Sequence, residues 1–332
     1  MTGASQMYLE DVTVQGFKSF SQKTEMSFQP GISVIIGNNG VGKSNILDAV
    51  VWALGEDDIR KMRCHDPAEL FFIGSGQTPP AERIRIELNF KQGLEIKSPV
   101  VQVVRELTRT GESFYFINDT AASRDEFRKY LVECHLDDTL KTIIKQEQIN
   151  DILMLDPVQR RRRIARLIDI ENEAEFDDRI TAEIGSTFES YLQYFFPDGS
   201  GTLRNVSRNG ARGLDIEVNL RDGRKRMAHQ LSGGEKSVTS LALQLAVFGQ
   251  LRSPIFLLDE VEPALDYTHH KSMQALLKHL SENKQLIMIT HLRSTIQLAN
   301  TVHGIRTRLD GSSFMKFYFV MDERLLRLYK CC

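Results

Sequence analysis

The segment Gly37-Asn38-Asn39-Gly40-Val41-Gly42-Lys43-Ser44 matches G-x-x-x-x-G-K-[ST] and is entered by the β-branched run Ile32 to Ile36. The residues that follow, Ile46, Leu47, Val50, Val51 and Leu54, repeat at helical spacing. Strand, glycine loop and helix in direct succession are what a phosphate cradle requires. Glycines let backbone N–H groups close around phosphate oxygens, and the helix N-terminus adds the positive end of a dipole. In such a loop Lys43 reaches the β- and γ-phosphates, Ser44 ligates Mg²⁺, and Asn38, Asn39, Gly40, Val41, Gly42 and Asn45 form the wall.

A cradle of this kind needs a metal-holding carboxylate at the end of a neighbouring strand. Ile255-Phe256-Leu257-Leu258-Asp259-Glu260 supplies an apolar strand ending in two acids. Asp259 is positioned to hold Mg²⁺, directly or through water, and Glu260 to polarise the attacking water as a general base. A third element, Leu231-Ser232-Gly233-Gly234-Glu235-Lys236, opens an amphipathic helix and makes a second anion-facing helix N-terminus. One nucleotide has one γ-phosphate, so a second such terminus points to use in trans by a partner subunit.

Around these motifs the expected fold is α/β. Strands are expected from residue 7, from about Arg83 to Phe116, and in a hairpin between Pro197 and Gly213 followed by LDIEVNL. Helical patterning covers about Arg124 to Glu171, interrupted near Asp156 and Pro157, and the stripe Ile180, Ile184, Phe188, Tyr191, Leu192, Phe195 predicts an amphipathic helix. Helix and strand then alternate at Gly234 to Leu251, Pro254 to Leu258, His269 to Glu282 and Gln285 to Ile289, which implies a largely parallel sheet.

With 41% hydrophobic residues, 26% charged and a net charge of −2, the chain is a folded one and no polycation. Nucleic-acid contact then needs a local patch, and Arg160 to Arg163 with Arg166 is the candidate: either a solvated helix face or a surface for sequence-independent phosphate contacts. The four cysteines include no Cys-x-x-Cys pair, and apolar runs are too short to span a bilayer, so the chain reads as cytosolic with reduced thiols.

Taken together, YLEDVTVQGFKSF, GNNGVGKSNILDAVVWALGE, LSGGEKS, FLLDEVEPALD and ITHLRSTIQLAN resemble, in order, the motifs of SMC (structural maintenance of chromosomes) ATPase heads within the ABC superfamily. The resemblance implies an ABC-type head of two lobes, residues 1–170 and 171–332, forming one composite domain with a β-rich N-terminal subdomain. It also implies roles for further residues. Gln146 matches the Q-loop glutamine that contacts Mg²⁺ and water, Asp266 the D-loop aspartate, and His291 the switch position near the γ-phosphate. Arg63 matches the arginine that approaches the nucleotide, while Lys18 and Ser19 match the stretch beside it. Two heads would sandwich two ATP·Mg²⁺ between Lys43 and Ser44 of one chain and Ser232 and Gly234 of the other. A kleisin subunit and DNA would be partners, at the chromosome and not at a membrane.

Glu147 stands where relatives often carry Gly, and VEPALD where Asp-Ala is commoner. A full SMC chain separates its halves by a long coiled coil with a hinge, and nothing between Asp169 and Phe176 could encode either, so the chain reads as a head without its coil. Three alternatives stay open: a repair ATPase head of the RecN or zinc-hook kind, a transporter nucleotide-binding subunit, and a scaffold that binds ATP without turnover.

Overall fold

The computed structural model describes residues 7–93, 98–170, 175–208, 210–220, 223–262 and 269–320. The chain divides into two compact units, one comprising Met1–Ile143, Ser253–Asp259 and Lys278–Cys332, the other Ile144–Arg252 and Glu260–Leu277. These units do not follow the sequence halves 1–170 and 171–332. The sheet of the first unit needs strands from both ends of the chain, so the C-terminal segment returns to it.

That sheet runs in the order Ser313–Val320, Thr301–Thr307, Ile32–Ile36, Gln285–Ile289, Ile255–Asp259. The last four are mutually parallel, and Ser313–Val320 joins antiparallel at the edge. Ile255–Asp259 and Gln285–Ile289 are buried along their whole length, which is why they read as unbroken apolar runs with no alternation. Met7–Gln15, Thr24–Ser27, Arg83–Gln92, Val100–Thr108, Ser113–Ile117 and Thr120–Ala122 form a second, antiparallel sheet. Here one face is covered, and Ile84, Ile86, Leu88 and Phe90 alternate inward at period 2.

The helix Lys43–Ala53 lies in the common core of these sheets, with Ile46, Leu47, Val50 and Trp52 buried against the cluster that contains Val12, Ile84, Leu257 and Ile287. Arg105 caps its far end, donating to the carbonyls of Trp52 at 2.7 Å and Glu56 at 3.1 Å while its guanidinium lies over the Trp52 ring. Gln285 joins the sheets: its Oε1 accepts from Leu9 N at 2.8 Å, and its Nε2 donates to Leu9 O and Gln29 O.

In the second unit the helix Asp178–Phe195 begins at Asp177, whose carboxylate accepts from the N–H groups of Arg179 and Ile180, and it buries Ile184, Phe188 and Leu192. The expected hairpin is present as Ser200–Arg208 paired with Ala211–Asn219. Gly201 lets it approach the helix, since a Cβ there would come within 2.5 Å of the Phe188 ring. The helix Gly233–Phe248 is buried continuously from Ser237 onward, as a helix apolar all round must be.

The helical stretch expected over Arg124 to Glu171 is shorter than its pattern. Helix covers Arg124–Glu133, Asp151–Met154 and Pro157–Leu167, and the strand Ile143–Lys145 intervenes. Hydroxyls take the backbone away from helix there: Thr142 Oγ1 donates to Ile255 O at 2.7 Å, and Thr139 Oγ1 contacts Ser253 Oγ at 3.0 Å. The residues 171–174, at the expected junction of the halves, lie outside the described residues.

His303 sits in the strand beside the glycine loop, fully buried, with its ring 4.6 Å from Phe28 and 5.0 Å from Tyr318 and neither nitrogen hydrogen-bonded. Burial lowers its pKa from 6.5 to about 4. Protonation therefore favours the unfolded chain below pH 6.5, and the linked loss of stability between pH 7 and pH 5 is about 2 kcal/mol. His303→Phe, which keeps the ring and removes the nitrogens, is expected to abolish this part of the acid sensitivity; urea midpoints at the two pH values measure it, and an unchanged difference would refute the assignment.

Candidate functional site

The glycine loop of the first unit is built by its neighbours. Lys43 is buried, and its Nζ donates to Gly37 O at 3.0 Å and Asn38 O at 3.1 Å and lies 3.0 Å from His291 Nε2. Ser44 Oγ donates to Asp259 Oδ1 at 3.2 Å. The parallel ladder explains both contacts, because Ile32–Ile36, Ile255–Asp259 and Gln285–Ile289 all end at the same edge, where their loops converge. Behind the loop, Ser313 Oγ donates to Val41 O and contacts Ser19 Oγ at 2.6 Å, while Asn45 Nδ2 donates to Ser19 Oγ at 2.8 Å. Gly42 has φ +92 and stands where a Cβ would meet Ser19 Oγ at 2.3 Å.

Asn38, Asn39 and Gly40 form the exposed crest, and a Cβ on Gly40 would meet nothing within 4 Å. An open crest, a lysine at the loop and a hydroxyl beside a carboxylate together fit a phosphate chain and a hard divalent cation. A cavity of about 560 Å³ adjoins the loop, lined by Lys18, Ser19, Asn45, Arg63, Phe71 and Phe72. Its mix of cations and aromatic walls suits a nucleoside phosphate.

Arg63 and Lys18 meet on a residue that sequence reasoning did not single out. Asp48 Oδ2 accepts from Lys18 Nζ at 2.7 Å and from Arg63 Nη2 at 2.5 Å, and Arg63 Nη1 lies 3.6 Å from Asp259 Oδ2. Asp48 lies outside the apolar stripe of Ile46, Leu47, Val50, Val51 and Leu54, on the side of Ser44, so the helical spacing did not announce its burial. Ser313 was missed as well, because a lone serine in a strand carries no pattern.

The remaining sequence candidates belong to the second unit. Gln146 opens an exposed 3₁₀ turn, Gln146–Gln148. Ser232 caps the helix Gly233–Phe248: its Oγ accepts from Glu235 N, and Glu235 Oε2 accepts from Ser232 N at 2.9 Å. Ser232 and Gly233 are exposed, Gly234 partly so. Glu260, half-buried, follows Asp259 with φ +51, a left-handed conformation that glutamate rarely adopts. Asp266 lies outside the described residues.

The basic run divides into a buried pair and three exposed arginines. Arg160 and Arg161 are buried. Arg160 donates to the carbonyls of Ile152, Leu153, Leu155 and Leu214, at 2.6 to 3.1 Å. Arg161 donates to Asn205 Oδ1 and to Phe176 O and lies over the Phe176 ring. Two of the five arginines are therefore internal scaffolding that ties loops to the hairpin, a role that charge in a sequence does not reveal. Arg162, Arg163 and Arg166 are exposed and border a groove of about 480 Å³ with Asp151, Met154 and Gln159.

Comparison with known proteins adds three findings. Residues 8–313 match the family model described as RecF/RecN/SMC N terminal domain. Curated relatives named chromosome partition protein Smc include one from Fusobacterium nucleatum, 34% identical over 154 residues, and one from Mycolicibacterium paratuberculosis, 27% identical over 230 residues. The matches cover 46% and 67% of this chain but only 13% and 19% of those relatives' length. Among solved structures, an SMC head bound to the C-winged helix domain of ScpA aligns with TM-score 0.85 and 28% identity over 96% of this chain and 99% of its own. The SMC head domain from Thermotoga maritima aligns with TM-score 0.67 and 27% identity over 95% and 99%.

The different placements of neighbouring arginines give a direct test. Arg160→Met leaves four backbone carbonyls without their donor and is expected to cost about 3 kcal/mol of unfolding stability, whereas Arg163→Met should stay within about 0.5 kcal/mol. Equal denaturation midpoints for the two variants would contradict the buried assignment of Arg160.

Proposed function

This chain belongs to the RecF/RecN/SMC N terminal domain family, and on that footing we propose that it is the ATP-binding and hydrolysing head of an SMC protein, pairing with a second head around two nucleotides. The observation that carries the reading is the meeting of Lys43, Ser44, Asp259 and His291 at one sheet edge beside an open glycine crest. Lys43 neutralises phosphate charge, Ser44 and Asp259 hold Mg²⁺ with Gln146 as a further ligand, and the crest residues Asn38 to Gly42 wrap the phosphates with their N–H groups. Bound Mg²⁺ would supply charge neutralisation across the phosphate chain. Lys18, Ser19, Asn45 and Arg63 flank the nucleoside side, where the cavity of about 560 Å³ gives room.

Glu260 is the general base: a carboxylate one residue beyond Asp259, held in a left-handed conformation of the kind that clusters at functional sites. His291, in contact with Lys43, steadies the γ-phosphate end. The exposed helix terminus at Ser232, Gly233 and Gly234 offers N–H groups to the nucleotide of a partner head, and Asp266, outside the described residues, keeps the D-loop role that the sequence resemblance implies. Support for a kleisin partner comes from the solved SMC head bound to a ScpA domain. DNA would be contacted without sequence preference through the exposed Arg162, Arg163 and Arg166, in keeping with a chromosomal location. The sequence halves 1–170 and 171–332 contribute complementary motifs to one composite head.

Because catalysis needs a base and binding does not, Glu260→Gln is expected to keep ATP affinity, lose at least about 100-fold in turnover and accumulate as an ATP-bound dimer on a sizing column. Ser232→Arg should bind ATP as a monomer yet neither dimerise nor hydrolyse. Mixed with Lys43→Ala chains it should recover part of the activity, since one site of each mixed dimer is then intact. Undiminished turnover by Glu260→Gln would remove the base assignment, and failure to recover at every mixing ratio would place the whole site in one chain.

A further inference from the structure

Asp48 follows Ser44 by one helical turn, so both face the same side of the helix Lys43–Ala53. Its carboxylate is almost wholly buried, and a single oxygen, Oδ2, takes both the Lys18 ammonium and the Arg63 guanidinium. Arg63 is shared in turn: Nη2 goes to Asp48, while Nη1 lies 3.6 Å from Asp259, the residue that also accepts from Ser44. Ser44, Asp259, Arg63 and Asp48 thus close a ring that begins and ends on one helix face. Two further facts single out this ring. Lys18 and Arg63 both have positive φ, +48 and +59, a conformation that a non-glycine residue keeps only where its surroundings impose it. The Lys18 ammonium also donates to the carbonyl of Met62, the residue just before Arg63, so both cations are fixed at one point.

We infer that Asp48 is a positioning residue for nucleotide binding: it aims Lys18 and Arg63 into the cavity beside the glycine loop and divides Arg63 between itself and Asp259. The inference rests on the reading of that loop as a nucleotide site. In charge terms Asp48 and Asp259 balance Lys18 and Arg63. Without the Asp48 charge, Arg63 has Asp259 as its acidic partner in the ring and competes for the oxygens needed by Mg²⁺, while Lys18 loses the acid that orients it. A buried ion pair that served folding alone would stabilise the chain equally whether or not a nucleotide is bound; a positioning residue acts on binding through the two cations it holds.

The test is a coupling measurement with a fluorescent ATP analogue, read as binding affinity with Mg²⁺ and with EDTA, alongside the thermal midpoint of each variant without nucleotide. Asp48→Asn is expected to weaken binding about tenfold in the otherwise unchanged chain, more with Mg²⁺ than with EDTA. In a chain that already carries Lys18→Ala and Arg63→Ala it should cost less than about twofold, because nothing is left for it to aim. Should Asp48→Asn not fold, Asp48→Glu keeps the charge but shifts both cations, and the same pair of backgrounds decides. A loss of equal size in both backgrounds, or no loss in either, overturns the inference. Lys43→Ala separates the two levels: binding that needs Lys43 but ignores Asp48 refutes the positioning role alone, whereas binding that ignores Lys43 refutes the nucleotide reading and this inference with it.

Discussion

The pairing of Ile32–Ile36 with Gln285–Ile289 on one side and Thr301–Thr307 on the other is the constraint from which the site follows. Parallel neighbours end at the same edge, so fixing Ile35 opposite Ile289 and His303 brings the glycine loop, His291 and the acid-ended strand together. No side chain of the site is held by local structure alone. Lys43 is steadied by loop carbonyls six and five residues before it, but also by a histidine 248 positions later. Gln285 extends the same logic to the second sheet, giving the backbone at Leu9 the donor and acceptor that a strand partner would.

How much of this could be read without coordinates depends on the kind of signal. The buried strands were legible because short unbroken apolar runs such as Val34-Ile35-Ile36, Ile255-Phe256-Leu257-Leu258 and Leu286-Ile287-Met288-Ile289 have few other homes. The helix Asp178–Phe195 was legible because its stripe repeats over five turns. The glycine loop was legible because spacing and chemistry coincide there. Around 134–150 the pattern misled, since the apolar spacing is helical while the hydroxyl of Thr142 bonds the Ile255 carbonyl and that of Thr139 the Ser253 hydroxyl, at a strand end far along the chain. Such a competition is tertiary, and a linear pattern does not contain it.

Charge was the least transparent property. Arg160 and Arg161 look identical to Arg162 and Arg163 in the sequence, yet two serve as internal donors to carbonyls and two face water. Asp48 is a further case, an acid outside the apolar stripe that is nevertheless buried, with its partners, Lys18 and Arg63, 30 and 15 residues away on other segments. In each instance the buried charge is met by specific hydrogen-bond partners, and helix periodicity alone does not say by which residues.

The interleaving of the two compact units has a consequence for how the chain comes into being. Ile32–Ile36 precedes its hydrogen-bonding neighbours on both sides, which follow about 250 residues further along this sequence. The antiparallel sheet from Met7 to Ala122 can close in the meantime, as its pairings are mostly short-range. Until those neighbours are made, the strand that feeds the glycine loop has neither ladder and is an apolar edge exposed to whatever else is nascent. The glycine loop is thereby set in its sheet only after Gln285–Ile289 and Thr301–Thr307 have been made, and a chain stalled before them holds a nucleation point for aggregation where the parallel ladder would be.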